Sequence, residues 1–299
     1  MLQFNRRLTA DLALFMITVI WGVTFVTVKT ALQDIGVFSF LAIRFFIAFL
    51  FLAIVFFRRW SRIDWPTFKA GGILSLWLFA GYAFQTVGLL YTSASNAGFI
   101  TGLAVVLVPC LAAFYTRRMP GPGIITAVLL AVSGLGLLTL SVTFTFSYGD
   151  ALVLLCAVSF AMQIFLLGRY APLYDASLIT MLQIGLTGLL SAVAALAFEP
   201  HSLHITPDVW TALAITAIPA TSLAFLVQTW AQQFTTPSRT VIIFALEPVI
   251  AALTGIYYLG ESLTLPQMFG CVLILASTLA SELLPESKTE AASPAEELP

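Results

Sequence analysis

Charge is what this chain has least of. Only 9% of its 299 residues are Asp, Glu, Lys or Arg, against 60% apolar ones, and mean hydropathy is +1.01. A soluble domain needs a polar coat that this composition cannot supply, so the bilayer must be part of the solvent. A membrane span takes about 20 apolar residues, and ten such segments leave only short connections. The net charge of -1 offers no basic surface for a nucleic-acid partner. The three cysteines, Cys110, Cys156 and Cys271, fall inside apolar segments and read as small buried hydrophobes rather than a disulfide or metal site. The only two histidines, in His201-x-x-His204, have no Cys or further His near them, so no metal is expected. No Gly-x-x-x-x-Gly-Lys-Ser/Thr motif occurs, which leaves no cofactor and no nucleotide-driven process.

Lys and Arg are also missing from every second gap between the apolar segments. Arg6 and Arg7 precede the first segment, and Arg58, Arg59, Arg62 and Lys69 follow the second. Arg117 and Arg118 follow the fourth, Arg169 the sixth, Arg239 the eighth and Lys288 the tenth. Basic residues beside spans stay cytoplasmic, so the pattern predicts ten spans with both termini inside, in a multi-pass protein of the cell (plasma or inner) membrane. The expected spans are 10–30, 37–57, 68–90, 95–116, 121–142, 150–168, 177–198, 208–233, 238–258 and 265–284. Continuous apolar runs of this length are helices, because barrel strands are shorter and alternate. The first segment is too long for a removable signal peptide. Connections as short as Leu32-Gln33-Asp34-Ile35-Gly36 predict that sequential helices are antiparallel neighbours. Residues 285–299 are acidic, lack an apolar face and read as a disordered cytoplasmic tail.

Two stretches repeat. Leu107-Val108-Pro109-Cys110-Leu111-Ala112-Ala113 parallels Leu246-Glu247-Pro248-Val249-Ile250-Ala251-Ala252 at an offset of 139 residues. Gln85-Thr86 with Tyr91-Thr92 parallels Gln228-Thr229 with Phe234-Thr235 at an offset of 143. The chain therefore divides into residues 1–145 and 146–284, five spans each. An odd number of spans makes the second half enter the membrane in the opposite sense, an inverted-topology repeat suited to alternating access.

The sequence resembles the EamA-like members of the drug/metabolite transporter superfamily. The likeness rests on Trp21-Gly22-x-x-Phe25-x-x-x-Lys29, on Arg44, and on Thr92-Ser93-Ala94-Ser95-Asn96-Ala97. In the second half it rests on Leu246-Glu247-Pro248, Leu259-Gly260-Glu261 and Gly270. It implies a ten-helix carrier of small metabolites, with amino acids or related compounds as substrate class and export as direction. The chain departs from the pattern after the fourth span, where Arg117-Arg118-Met119-Pro120 replaces a Gly-Glu-like turn.

Lys29, Arg44 and Glu247 are the candidate charges inside expected spans, and each costs several kcal/mol to bury unless paired or wetted. Lys29 is near enough to the outer end of its span to snorkel or to gate. Arg44 lies about seven residues, or ~10 Å, below the outer face. It can bind an anionic group in a bidentate fork or pair with Asp34. Glu247 lies near the midplane, where it can meet a substrate amine, carry a proton as coupling ion, or pair with Arg44. Pro248 after it, and Pro109 in the matching place, remove a backbone donor and loosen the preceding turn, which makes them gating candidates. Trp21 and Phe25, at i and i+4, give an aromatic face, and Tyr82, Gln85, Gln163, Gln183 and Gln228 add polar groups that turn from lipid into the bundle. Together these residues form the expected substrate site. Gly98-x-x-x-Gly102, Gly22, Gly81, Gly134 and Gly136 are expected to permit close helix crossings. Glu261 is expected to cap the tenth helix. No constellation of nucleophile and base lies at one depth, so an enzyme is not expected, and a sensor or scaffold is the weaker alternative to a carrier. The sequence leaves open whether the chain acts alone or as a homodimer.

Overall fold

The computed structural model describes residues 2–139, 147–200, 205–259 and 263–283; the side chains of residues 2–5, 23, 25, 26, 29, 94, 95, 139, 255–259 and 282 fall outside that description. The first half holds α1 (Leu2–Ala31), α2 (Val37–Val55), α3 (Trp65–Gly88), α4 (Ala94–Gly102), α5 (Ala104–Thr116) and α6 (Pro122–Thr139). The second holds α7 (Tyr148–Tyr170), α8 (Ala176–Phe198), α9 (Pro207–Ala217), α10 (Ala224–Ala231), α11 (Pro237–Phe244), α12 (Glu247–Leu259) and α13 (Leu265–Leu283). A 3₁₀ turn, Phe57–Arg62, follows α2, and a π-helical segment, Ile218–Leu223, joins α9 to α10. Seven described stretches are long and apolar enough to cross a membrane, and Pro122–Leu138 and Leu265–Ser281 are shorter apolar helices. Residues 201–204, with both histidines, Glu261 and the tail from 284 lie outside the described residues.

Local sequence sets most helix starts. The Asp64 carboxylate accepts from Thr67 N at 2.9 Å with Pro66 in the first turn of α3, and Ser147 and Asp150 form a reciprocal capping box on α7. Ser93, Thr206 and Thr236 cap α4, α9 and α11 through their hydroxyls, and Asp175 caps α8. Helix α2 has no cap of its own, because Gly36 stands at that position. Its free N–H groups at Phe38 and Ser39 donate to the Glu199 carboxylate at 2.6 and 2.9 Å, from the far end of α8.

Chain neighbours are not the main packing partners, contrary to the expectation from short connections. Helix α6 packs on α13, α2 on α8, and α3 on both α7 and α8. A short loop fixes the direction of the next helix, but small residues decide which faces meet. A Cβ on Gly134 would stand 2.7 Å from the Gly270 carbonyl oxygen, and one on Gly270 would stand 2.6 Å from that of Gly134, so α6 and α13 meet backbone to backbone. Gly185 and Gly188 of α8 likewise receive Phe49 and Phe45 of α2, and Gly81 receives Phe160. Gly98 departs from its expected role: nothing lies within 4 Å of a Cβ placed there, and it faces a cavity instead of a helix. Of the cysteines only Cys156 is buried. Cys110 is exposed on the outer surface of α5, where lipid accepts a small apolar side chain as readily as a core does.

Polar ties join helices at both ends of the bundle. At the arginine-bearing end, the Arg239 guanidinium lies 3.1 Å from the Asp11 carboxylate and donates to the Ser281 carbonyl at 2.9 Å, joining α11, α1 and α13. Arg59 and Asp175 pair there at 2.8 Å. Partial burial alone would push the Asp175 carboxyl up, but hydrogen bonds from Ser177 and the Arg59 charge outweigh it and hold the carboxyl below the usual range. At the opposite end Thr206 donates to Asp34 at 2.7 Å and Thr92 to Asp150 at 2.5 Å.

Candidate functional site

Three helical stretches are interrupted where they face the middle of the bundle. The α4–α5 break falls at Leu103 and the α11–α12 break at Ala245-Leu246, while the α9–α10 stretch widens into the π segment. Pro248 explains the second break, since it withholds the N–H that Phe244 O would take in a continuous helix. Pro219 sits in the π segment, and the same loss of a donor favours the wider turn there.

The first two interruptions, and α10 beyond the π segment, border a cavity of about 650 Å³ lined by both halves. Arg44 is 4% exposed; its Nε donates to Thr221 Oγ1 at 2.8 Å and an Nη to Tyr82 Oη at 3.3 Å, and its guanidinium carbon lies 4.9 Å from the Tyr82 ring centroid. Glu247 opens α12, next to the positive end of that helix, and among the described residues it has no hydrogen bond or ion pair. The two charges are therefore not locked together, and Asp34, the other partner considered for Arg44, is taken by Thr206. Gly22 lets α1 lie against the break, since a Cβ there would stand 2.9 Å from Ile250 Cβ and 3.0 Å from the Glu247 carbonyl.

Trp21 does more than offer an aromatic face. Its indole Nε1 donates to the Ala220 carbonyl at 2.8 Å, inside the π segment, while its ring meets Phe244 and Phe225 at 5.0 and 5.6 Å between centroids. The π geometry explains this bond, because the Ala224 N–H turns to the Pro219 and Thr221 carbonyls and leaves the one between them to the indole. Ser222 adds a third tie, donating to Ala48 O of α2 at 3.0 Å.

Of the expected site residues, Trp21, Arg44, Tyr82, Gln85, Gln163, Gln228, Glu247 and Pro248 line the cavity. Gln183 does not: it is fully buried behind Gln163, whose Nε2 donates to its Oε1 at 3.2 Å. A glutamine turned from lipid can satisfy itself on another glutamine instead of on a ligand. Pro109 is buried inside an unbroken α5 and is also absent from the lining, so its loosening effect does not reach the cavity. The side chains of Phe25 and Lys29 lie outside the described residues. Sequence reasoning missed Thr101, Phe160, Phe225, Phe244 and the Thr221 support of Arg44. The signal for the last was Pro219 in mid-span, while the aromatics carry none among 25 phenylalanines.

Gln228 donates to Gln232, which donates on to the Ile164 carbonyl, and among the described residues the Gln228 Oε1 has no partner although the residue is 1% exposed. The lining thus combines one guanidinium, one carboxylate, amides with capacity to spare and aromatic walls. Such a set can hold a small molecule bearing polar or charged groups on an apolar body. No group of three His, Cys, Asp or Glu that would hold a metal ion occurs among the described residues.

A bundle of membrane-length apolar helices around a mixed polar and aromatic cavity defines a multi-pass membrane protein of the carrier type. The model of the EamA-like transporter family matches residues 8–140 and again 147–281, so the chain belongs to that family. An uncharacterized transporter of Archaeoglobus fulgidus is 38% identical over 278 residues, 93% of this chain and 87% of that protein. The uncharacterized transporter YvbV of Bacillus subtilis is 26% identical over 293 residues, 93% and 92% of the two chains. A solved crystal structure shares the fold with a TM-score of 0.78 at 20% identity, over 92% of this chain and 96% of that one.

Proposed function

We propose that this transporter is a secondary carrier of ten spans in two inverted five-helix repeats, exporting small amphipathic metabolites such as amino acids by alternating access. The observation that carries the reading is the cavity itself, placed between the halves with Arg44 on α2 and, on α12, a Glu247 without a partner among the described residues. Arg44 receives the anionic group of the substrate, Glu247 its amine or the coupling proton, and the Trp21 face its apolar part. The packing supports the inverted repeat. Helices α2 and α8 hold the second place in each half and pack together, as α6 and α13 do in the last place. Helix α3 packs on α7 as α9 and α10 pack on α1, so exchanging the halves maps one set of contacts onto the other. The cytoplasmic placing of both termini rests on the charge pattern, and the outward direction on the family resemblance. The test is flux into proteoliposomes of labelled amino acids, nucleosides and cationic drugs, with and without a pH gradient. Gradient-driven flux of one class, abolished by Glu247→Gln and Arg44→Gln, is expected. Wild-type flux in both folded variants, for every substrate moved, overturns the site; no flux from the wild type overturns the carrier reading in favour of a sensor.

A further inference from the structure

A second concavity lies on the outside of the bundle, at the arginine-bearing end. It is a groove of about 530 Å³ between the end of α2, the start of α8 and α10, with Phe56, Leu226, Val227 and Trp230 as apolar surface. Arg59, Asp175, Ser177 and Gln233 stand at its rim. No residue is shared with the central cavity. Helix α10 separates the two, turning Phe225 and Gln228 to the cavity and Leu226, Val227 and Trp230 to the groove.

The charges around the groove have one predominant sign. Arg59 is half exposed and held by Asp175 at 2.8 Å and Ser177 Oγ at 3.2 Å, so this pair is neutral and anchors the 3₁₀ turn. Residues three apart eclipse in a 3₁₀ helix, so Arg62 stands on the same face as Arg59, one turn or ~6 Å further on, and it is exposed. On the other side Trp230 packs edge-on against Phe234 at 5.4 Å, and the exposed Arg6 lies over the Phe234 ring at 5.8 Å. An apolar trough is thus flanked by a cation from the 3₁₀ turn and another from the start of α1. Phe57 and Trp60 of the same turn are exposed, as aromatic residues are at the depth of lipid headgroups.

We infer that this groove is a binding site for an anionic phospholipid, with one acyl chain along Phe56, Leu226, Val227 and Trp230 and the phosphate between Arg62 and Arg6. A zwitterionic lipid fits the trough but brings its own cation to the phosphate, so it gains less from these guanidiniums. The occupant would rest on the back of the wall that faces the cavity.

The test is native mass spectrometry of the full chain released from nanodiscs containing phosphatidylglycerol and phosphatidylcholine. Wild-type protein is expected to retain phosphatidylglycerol preferentially. Removing both flanking charges with Arg6→Gln and Arg62→Gln should weaken that retention roughly thirty-fold, at about one order-one contribution per basic residue near an anionic surface. Val227→Trp keeps every charge but fills the trough, and should reduce retention of both lipids. Neither variant touches the central cavity, so cavity-dependent flux reports separately on the carrier reading. Equal retention of the two lipids by wild-type protein, or an undiminished preference in the double variant, overturns the site. Should the variants not fold, a salt titration of wild-type retention decides: a steep fall is expected between low and high ionic strength, and a flat profile overturns the inference.

Discussion

The π-helical segment is held from outside by two helices, and the size of that hold can be measured. Trp21→Phe removes the 2.8 Å bond to the Ala220 carbonyl while keeping a ring against Phe225 and Phe244. Interhelical hydrogen bonds in membrane proteins average about 0.6 and reach about 1.7 kcal/mol. The carbonyl left behind belongs to a fully buried residue, so a loss of about 1 kcal/mol, within that range, is expected. Thr221→Val removes the acceptor for Arg44 Nε, also at 2.8 Å, and with it the threonine's own bond to Thr216 O. That bond is charge-assisted, and about 1.5 kcal/mol is expected. Both bonds pin the same turn, so once one is cut the segment can relax and the second cut costs less. The double variant should therefore lose at least about 0.5 kcal/mol less than the sum. Reversible unfolding of the four proteins in one detergent, or steric trapping in bicelles, gives the cycle. Strict additivity would refute the shared-segment argument, and unchanged stability in both single variants would refute the hold itself.

Gly134→Ala places a methyl 2.7 Å from the Gly270 carbonyl oxygen and 2.9 Å from Ile274 N, backbone atoms that cannot swing away, and should cost about 1–3 kcal/mol in the same unfolding assay. Gly98→Ala, with nothing within 4 Å, should stay within about 0.5 kcal/mol of wild type. Glu199→Ala leaves the Phe38 and Ser39 N–H groups without their acceptor and should cost about 1–2 kcal/mol, seen also as faster amide exchange at the start of α2; Glu199→Gln should recover part of it. The Asp175 carboxyl is lowered in the folded state, so its contribution is complete above about pH 4, where the unfolded carboxyl titrates, and fades as pH falls through the lower folded value. The stability gap between wild type and Asp175→Asn should accordingly be constant from pH 7 to 5 and close below pH 4; a gap that widens on acidification contradicts the direction given.

Apolar runs made most of the membrane helices legible, and local rules marked where several begin: Asp64 with Pro66, Ser147 with Asp150, Thr236 with Pro237. Partners were not legible, because in a segment apolar on every side no stripe of residues points to the neighbour. The cap on α2 shows the limit, since its carboxylate comes from a residue about 160 positions away. Polar residues within spans were a sound guide to the interior, and Arg44, Glu247, Gln163 and Gln228 all reach the cavity. The same rule placed Gln183 at the cavity, but an amide that turns inward and bonds another amide behind the lining obeys it equally well. Pro248 behaved as its missing donor requires, whereas Pro109 was absorbed by a continuous helix. Both counterpart stretches are interrupted, but Pro248 stands just after its break, whereas Pro109 lies well past the one at Leu103, inside α5.

The backbone contact between Gly134 and Gly270 makes one side of the cavity stiff. Side chains that interdigitate can change rotamer as helices slide, but two peptide backbones in direct contact have nothing to readjust. Leu138 and Gln267, carried by this pair and joined through the Gln267 Nε2 bond to the Leu138 carbonyl at 3.4 Å, form a wall of fixed shape. The interrupted stretches α4–α5 and α11–α12 also line the cavity and lack a continuous helical ladder at their breaks, whereas the π segment is tied to α1 and α2. The cavity thus has one stationary jaw, and substitutions meant to widen or narrow what it grips belong on the Trp21, Phe225 and Glu247 side.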